Sequence, residues 1–342
     1  MIVDGLIIND DKSTCDIKNS NFIKYVGDII NIKISNNKSF KCHPDLKLLC
    51  LIKTSNDKSL SKRFLNSKMY KIDYVEAKNI NILKHFIAYN IDDKVIHDDS
   101  INENRAKIIG YYTSEGWSNI KKQITIFTFS KKESTTLAEE LKNLIKIEFN
   151  YDAKIKVHKV EDKTNVFVYN KDITTYLFKH GNRLSKNKKL SPEIVFAPDN
   201  IKLQYLTSWM NGDGSQDKYS KKLIGTSVSS DLIYQHFYMF NKLNMTCGIF
   251  DKISKEHISR GKKIKESIGF TIRIPYSDSD LIVNNSDKFD KDTNDINKKK
   301  IISFVENYRI MNIIGCNIEE FNGNLYNFKD SEFIINNISV KI

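Results

Sequence analysis

Ile108-Ile109-Gly110-Tyr111-Tyr112-Thr113-Ser114-Glu115-Gly116 and Leu206-Thr207-Ser208-Trp209-Met210-Asn211-Gly212-Asp213-Gly214 are two versions of one pattern. They superpose without a gap, because Glu115 and Asp213 lie 98 residues apart (213 − 115), as do Gly116 and Gly214. Each reads as a helix with small residues four apart, Gly110 with Ser114 and Ser208 with Gly212. Side chains at that spacing share one helix face. A face of Gly and Ser lets a second helix come very close. Gly116 and Gly214 fall where a helix ends, and a left-handed glycine cap is expected at each.

The acid before each glycine conflicts with a local rule. A carboxylate in the last helical turn meets the negative end of the macrodipole, which costs a few tenths to about 1 kcal/mol. Two matched conflicts imply a compensating positive group and mark a functional site. If the small faces pack together, both carboxylates emerge side by side. They then repel unless cations lie between them, and hard divalent ions suit such an all-oxygen setting. Either segment alone is compatible with an ordinary buried helix; two in register are hard to explain that way.

Outward from these segments the chain repeats itself. Ile124 to Phe129 alternates like a strand, and Leu137, Ala138, Leu141, Leu144 and Ile145 then form one helix face. Leu223 to Val228 and the face Ile233, Phe237, Phe240, Leu243 follow the second segment. Strand-like sequence closes each half, at 153–160 and 165–169, then at 246–253 and 268–274. A period near one hundred residues predicts two pseudo-symmetric halves. Trp117 and Trp209 adjoin the motifs and read as core packing.

Both ends of the chain read as β-structure, with strands expected around Tyr25–Ile34, Leu46–Ile52, Leu325–Phe328 and Glu332–Val340. Residues 278–300 turn to Asn, Asp, Ser and Lys, and read as a polar linker or mobile loop.

The 342 residues carry 54 Lys and Arg against 42 Asp and Glu, a net charge of +12, nearly all of it from lysine. That excess favours a polyanionic partner, although a Lys- and Asn-rich composition alone would produce it. Cys15, Cys42, Cys50, Cys247 and Cys316 form no C-x-x-C pair, which argues against metal fingers and a disulfide framework. No apolar run reaches membrane-spanning length and the N-terminus lacks a signal-peptide layout, so a soluble, intracellular protein that is not secreted is expected.

The paired segments resemble the twin LAGLIDADG (dodecapeptide) motifs, in the variant found in intein-encoded homing endonucleases, and the likeness covers roughly residues 100 to 275. The resemblance implies an α+β fold in which an αββαββα unit occurs twice, with the motif helices packed at a pseudo-dyad. It implies a monomeric, metal-dependent nuclease of a mobile genetic element that cuts double-stranded DNA at a specific site. Glu115 and Asp213 would bind Mg²⁺, with Mn²⁺ able to substitute, and each would serve one strand. Strand saddles would lie in the major groove. The segment Lys188-Lys189-Leu190-Ser191-Pro192 is similar to a basic block that precedes the second motif in that family, with one residue more between Lys and Pro. Lys189 is the choice for supporting the scissile phosphate; a solvated basic loop is the competing reading.

The flanks resemble the two halves of a Hint (intein splicing) domain. The organisation implied is residues 1–95 and 301–342 as Hint-like halves around 96–277, with repeats at about 100–182 and 198–277. His43-Pro44-Asp45-Leu46 stands where a Thr-x-x-His motif would be, the chain starts at Met1, and it closes on Lys341-Ile342 instead of His-Asn. Without a nucleophile or a cyclising Asn, splicing is expected to be lost. Two alternatives share this fold: a DNA-binding protein that does not cut, and an RNA-splicing maturase.

Overall fold

The computed structural model describes residues 7–8, 14–15, 22–35, 39–54, 70–90, 95–182, 184–254, 256–259, 262–264, 266–291, 304–305, 308–326, 332–335 and 338–341. The expectations for residues 292–300, for Asn327 and Phe328, and for the final Ile342 fall outside them. The chain divides into two compact units, one of Met1–Asp93, Thr246–Phe250 and Lys299–Ile342, the other of Lys94–Met245 and Asp251–Lys298.

In the first unit the strands Phe22–Ile34 and Tyr308–Tyr326 form a long antiparallel pair running from Ile313 opposite Ile34 to Tyr326 opposite Phe22. A bulge between Ile313 and Gly315 interrupts the register. Lys47–Lys53 pairs with both Tyr70–Glu76 and His85–Asn90. Leu49, Leu51 and Ala88 are buried there, under Tyr70, Ile72, Tyr74 and Phe86. His43 meets the ring of Tyr25 edge-on at 5.1 Å.

The second unit holds the repeat, apart from residues 248–250 at the start of its seventh strand. Its first half runs α1 (Glu103–Glu115), β1 (Gly116–Asn119), β2 (Ile124–Phe129), α2 (Leu137–Phe149), β3 (Lys154–Val157), β4 (Thr164–Tyr169) and α3 (Lys171–Gly181). After the short α4 (Pro192–Val195), the order recurs as α5 (Asp199–Asp213), β5 (Gly214–Gln216), β6 (Leu223–Ser227), α6 (Ser230–Lys242), β7 (Gly248–Ser254), β8 (Ser267–Ile274) and α7 (Asp280–Asn284). Each half thus builds a four-stranded sheet, ordered β3-β4-β2-β1 and β5-β6-β8-β7.

α1 and α5 lack a clear polar face because both are buried nearly all round, through Ala106, Ile108, Ile109, Tyr111 and Tyr112 on one and Ile201, Tyr205, Leu206, Trp209 and Met210 on the other. Asn102 caps α1 by accepting from Arg105 N at 2.8 Å. None of the helices of the described residues is long and apolar enough to cross a membrane.

Two expectations need correction here. The polar stretch from 278 is structured through its first part, where α7 buries Ile282 and Val283, and Phe289 is buried beyond it. Three apolar side chains anchor a segment whose composition reads as a loop. Trp117 is not core: it is 38% exposed, because β1 turns it onto the open face of its sheet. Trp209 is fully buried and packs on the ring of His236 at 4.0 Å.

Candidate functional site

The site begins where α1 and α5 touch. A Cβ built on Gly110 would stand 2.5 Å from Tyr205 O and 2.8 Å from Ser208 Cβ. One built on Gly212 would overlap Ser114 Oγ and lie 3.2 Å from Glu115 Cγ. At Gly110 backbone meets backbone, at Gly212 backbone meets the Ser114 side chain, and glycine alone fits without a shift at those two positions. The contact with Glu115 Cγ also shows that the end of one helix reaches the last turn of the other.

Gly116 and Gly214 do not adopt the left-handed cap. Both are extended, with φ −91° and ψ 147° at the first and φ −90° and ψ 155° at the second. The chain passes directly from each helix into a strand, so no reversal is needed. Glycine is required for space instead: a Cβ on Gly116 would press on Tyr112 O at 2.6 Å, and one on Gly214 on Met210 Cε at 2.9 Å.

Glu115 and Asp213 are the last residues of α1 and α5. Desolvation pushes the Glu115 carboxyl up to about 7, with the charges of Asp213 and Glu133 adding to the rise. Desolvation likewise pushes Asp213 up to about 7, against the pull of Lys188 and Lys288. Glu133 is itself fixed, accepting from Ser130 N at 2.9 Å and Ser130 Oγ at 2.8 Å.

The compensating positive charges are two lysines. Lys188 Nζ donates to Tyr112 O at 2.7 Å, Thr113 O at 2.8 Å and Gly116 O at 2.9 Å. Lys288 Nζ donates to Asn211 O at 2.6 Å and Gly212 O at 3.2 Å. Each ammonium caps the negative end of one motif helix. Burial lowers the Lys188 ammonium to about 8, while Asp213 and Glu115 hold it up. Lys288 is also lowered by desolvation, and Glu133, Glu115 and Asp213 oppose the shift.

Lys189, the lysine chosen from sequence, is exposed; Lys188 is buried to 4% of its surface. Side chains alternate along the extended stretch after Asn187, so one of two adjacent lysines must turn inward. α6 decides which. Ser229 Oγ donates to Lys188 O at 2.6 Å, and Gln235 clamps Leu190 by accepting from its N at 2.7 Å and donating to its O at 2.9 Å. Sequence reasoning missed Lys288 altogether. Its position is set by Ser286, whose Oγ donates to Asn211 Oδ1 at 2.5 Å and accepts from Lys288 N at 3.1 Å. A signal existed: Lys288 follows Lys188 by 100 residues (288 − 188), close to the motif spacing.

Among the described residues no group of three or more His, Cys, Asp or Glu could hold a metal ion. Glu115 and Asp213 nevertheless suit a hard divalent ion, being two desolvated carboxylates that each resist ionisation until positive charge is supplied.

No family model matches the chain. Among curated proteins it is similar to a DNA polymerase of Thermococcus litoralis, 26% identical over 151 residues, which are 43% of this chain and 8% of that one. The chain thus spans a small fraction of that relative. Among solved structures it is similar to I-DmoI in complex with DNA and Ca, with 15% identity, a TM-score of 0.38, and coverage of 54% of this chain and 88% of that one. Mesophilic variants of the homing endonuclease I-DmoI give 16%, 0.37, 54% and 96%. Full-length DUF199/WhiA from Thermatoga maritima gives 12%, 0.37, 56% and 57%. The order α-β-β-α-β-β-α is repeated about the α1–α5 seam, and 54% of this chain aligns with I-DmoI.

Proposed function

We propose that this chain is a site-specific double-stranded DNA endonuclease that hydrolyses phosphodiester bonds with divalent metal, one acid serving each strand. The observation that carries the reading is the twofold end of the helix pair: an acid at the last position of each helix, and a lysine on the last carbonyls of each. A pure binder has no use for two desolvated carboxylates facing phosphate. Glu115 and Asp213 would hold Mg²⁺, or Mn²⁺ in its place. When bound, the metal supplies activated water and charge stabilisation at the scissile phosphate.

The protein's own groups do the rest. Lys188 and Lys288 keep positive potential beside two acids that would otherwise repel the DNA backbone. Lys188 titrates near 8 and so can exchange a proton close to neutral pH. In this reading residues 96–277 are the nuclease, extended at their C-terminal end to include Lys288, and the terminal segments are a Hint-like β scaffold.

The test is cleavage of a randomised duplex library with Mg²⁺, comparing wild type with Glu115→Gln and Asp213→Asn. The expected result is specific double-strand cuts by wild type, reduced to nicking or lost in each variant. Specific binding without cutting, unchanged in both variants, would overturn the enzyme and leave a DNA-binding protein. Preference for intron RNA over duplex DNA would instead favour a maturase.

A further inference from the structure

The open face of the first sheet has a chemistry of its own. Register places three rows of side chains across it. Lys154, Phe167, Ile126 and Trp117 form the central row. Lys156, Asn165 and Thr128 lie to one side, and Tyr169, Ile124 and Asn119 to the other. The opposite face is core, with Thr125, Phe127, Val166 and Val168 buried. Trp117 is 38% exposed and Tyr169 is 55% exposed, while the rings of Phe167 and Tyr169 lie stacked at 5.9 Å. An unbroken apolar strip therefore crosses the strands, and no arginine stands in it.

The corresponding face of the second sheet differs. Its paired rows are Ser215, Ile224 and the half-buried Arg273, then Thr226 and the buried Thr271. A guanidinium there suits guanine O6 and N7, the commonest specific contact in the major groove. Isoleucine and phenylalanine can make no such bond. In that groove their complement is the thymine C5-methyl group.

We propose that the first sheet reads its half of the DNA site mainly through thymine methyl groups, whereas the second reads its half by hydrogen bonds. This inference rests on the duplex-DNA reading above. The strip belongs against a base-pair edge for two reasons. β1 leaves Glu115 directly, so Trp117 is two residues from the acid and within about 7 Å of it along a strand. The strip is also flanked by charge that complements phosphate, with Lys154 and Lys156 exposed on the edge strand and Lys121 and Lys122 exposed at the β1–β2 turn.

The experiment selects bound duplexes from a randomised pool with the full chain, then remakes the selected duplex with uracil for thymine in one half at a time. Uracil keeps the pairing and removes only the methyl. Each uracil in one half should weaken binding about fourfold, the value of one buried methyl-sized group, and those in the other half much less. Ile126→Ser and Phe167→Ser, both on the open face, should bind the thymine duplex more weakly and lose the uracil penalty. A selected site without thymine in either half, equal penalties in both halves, or an unchanged penalty in both variants would overturn the inference while leaving the nuclease intact. Absence of any sequence preference would overturn both proposals. Conversion of a dimer to a monomer by these substitutions, with DNA affinity unchanged, would make the strip a self-association surface and also overturn it.

Discussion

Lys188 and Lys288 occupy equivalent places in the two halves but different surroundings: the first is buried on two carbonyls of α1 and that of Gly116, the second is exposed on two carbonyls of α5. A buried ammonium on helix-end carbonyls is held by structure, whereas an exposed one is held weakly and screened by salt. Stability and chemistry should separate at the two lysines.

Lys188→Met should lower unfolding stability by about 2–4 kcal/mol, since it leaves buried carbonyls without a donor. Lys288→Met should cost well under 1 kcal/mol. Lys189→Ala, on the exposed neighbour, should fall within about 0.5 kcal/mol of wild type. Urea denaturation ranks the three. A Lys189 variant as damaging as the Lys188 one would refute the assignment of the inward lysine. Strand-resolved cleavage by Lys288→Met should show one strand cut more slowly than the other.

The acids make a pH prediction for the metal-free protein. Burial raises both folded-state carboxyls to about 7, above the ordinary values of 4.5 for Glu115 and 3.8 for Asp213. A raised carboxyl binds more protons folded than unfolded, so its ionisation destabilises the fold. That penalty is complete above pH 7 and fades as pH falls toward 4.5. Glu115→Gln and Asp213→Asn should each stabilise the protein at pH 8 by about 1–3 kcal/mol and have little effect at pH 4.5. The double variant should gain less than the sum, because each carboxylate is part of the other's penalty. Equal effects of the substitutions at both pH values would exclude the buried-acid account.

How much of this was legible in the sequence depends on what each signal reports. Gly110, Ser114, Ser208, Gly212 and the two acids could be read because a gapless 98-residue offset repeats residue types at fixed helical positions. The choice between Lys188 and Lys189 could not, because it is made by Ser229 and Gln235 of α6, more than forty residues away. Lys288 was hidden by composition: the polar stretch around it looks like a linker, and only the buried Phe289 next to it hints at anchoring. Gly116 and Gly214 were misread as left-handed caps because a glycine after a helix has two explanations. The sharp passage into β1 and β5 selects the one based on space.

The helix seam yields the prediction in which two principles disagree on sign. By helix propensity alone, Gly212→Ala within α5 should stabilise the protein by about 1 kcal/mol. The packing predicts the reverse, since the new methyl would overlap Ser114 Oγ and stand 2.6 Å from Ser114 Cβ. Overlap on this scale, on so close a seam, should cost about 1–3 kcal/mol or more and force the helix ends apart. Gly110→Ala, 2.5 Å from Tyr205 O, should do the same farther from the acids. Thermal unfolding decides the sign, and cleavage separates the two sites. Both variants should lose stability, but Gly212→Ala should also lose activity beyond what its unfolded fraction explains, because its methyl displaces Ser114, the residue before Glu115. A rise in Tm for either variant would mean that α1 and α5 are not in close contact there.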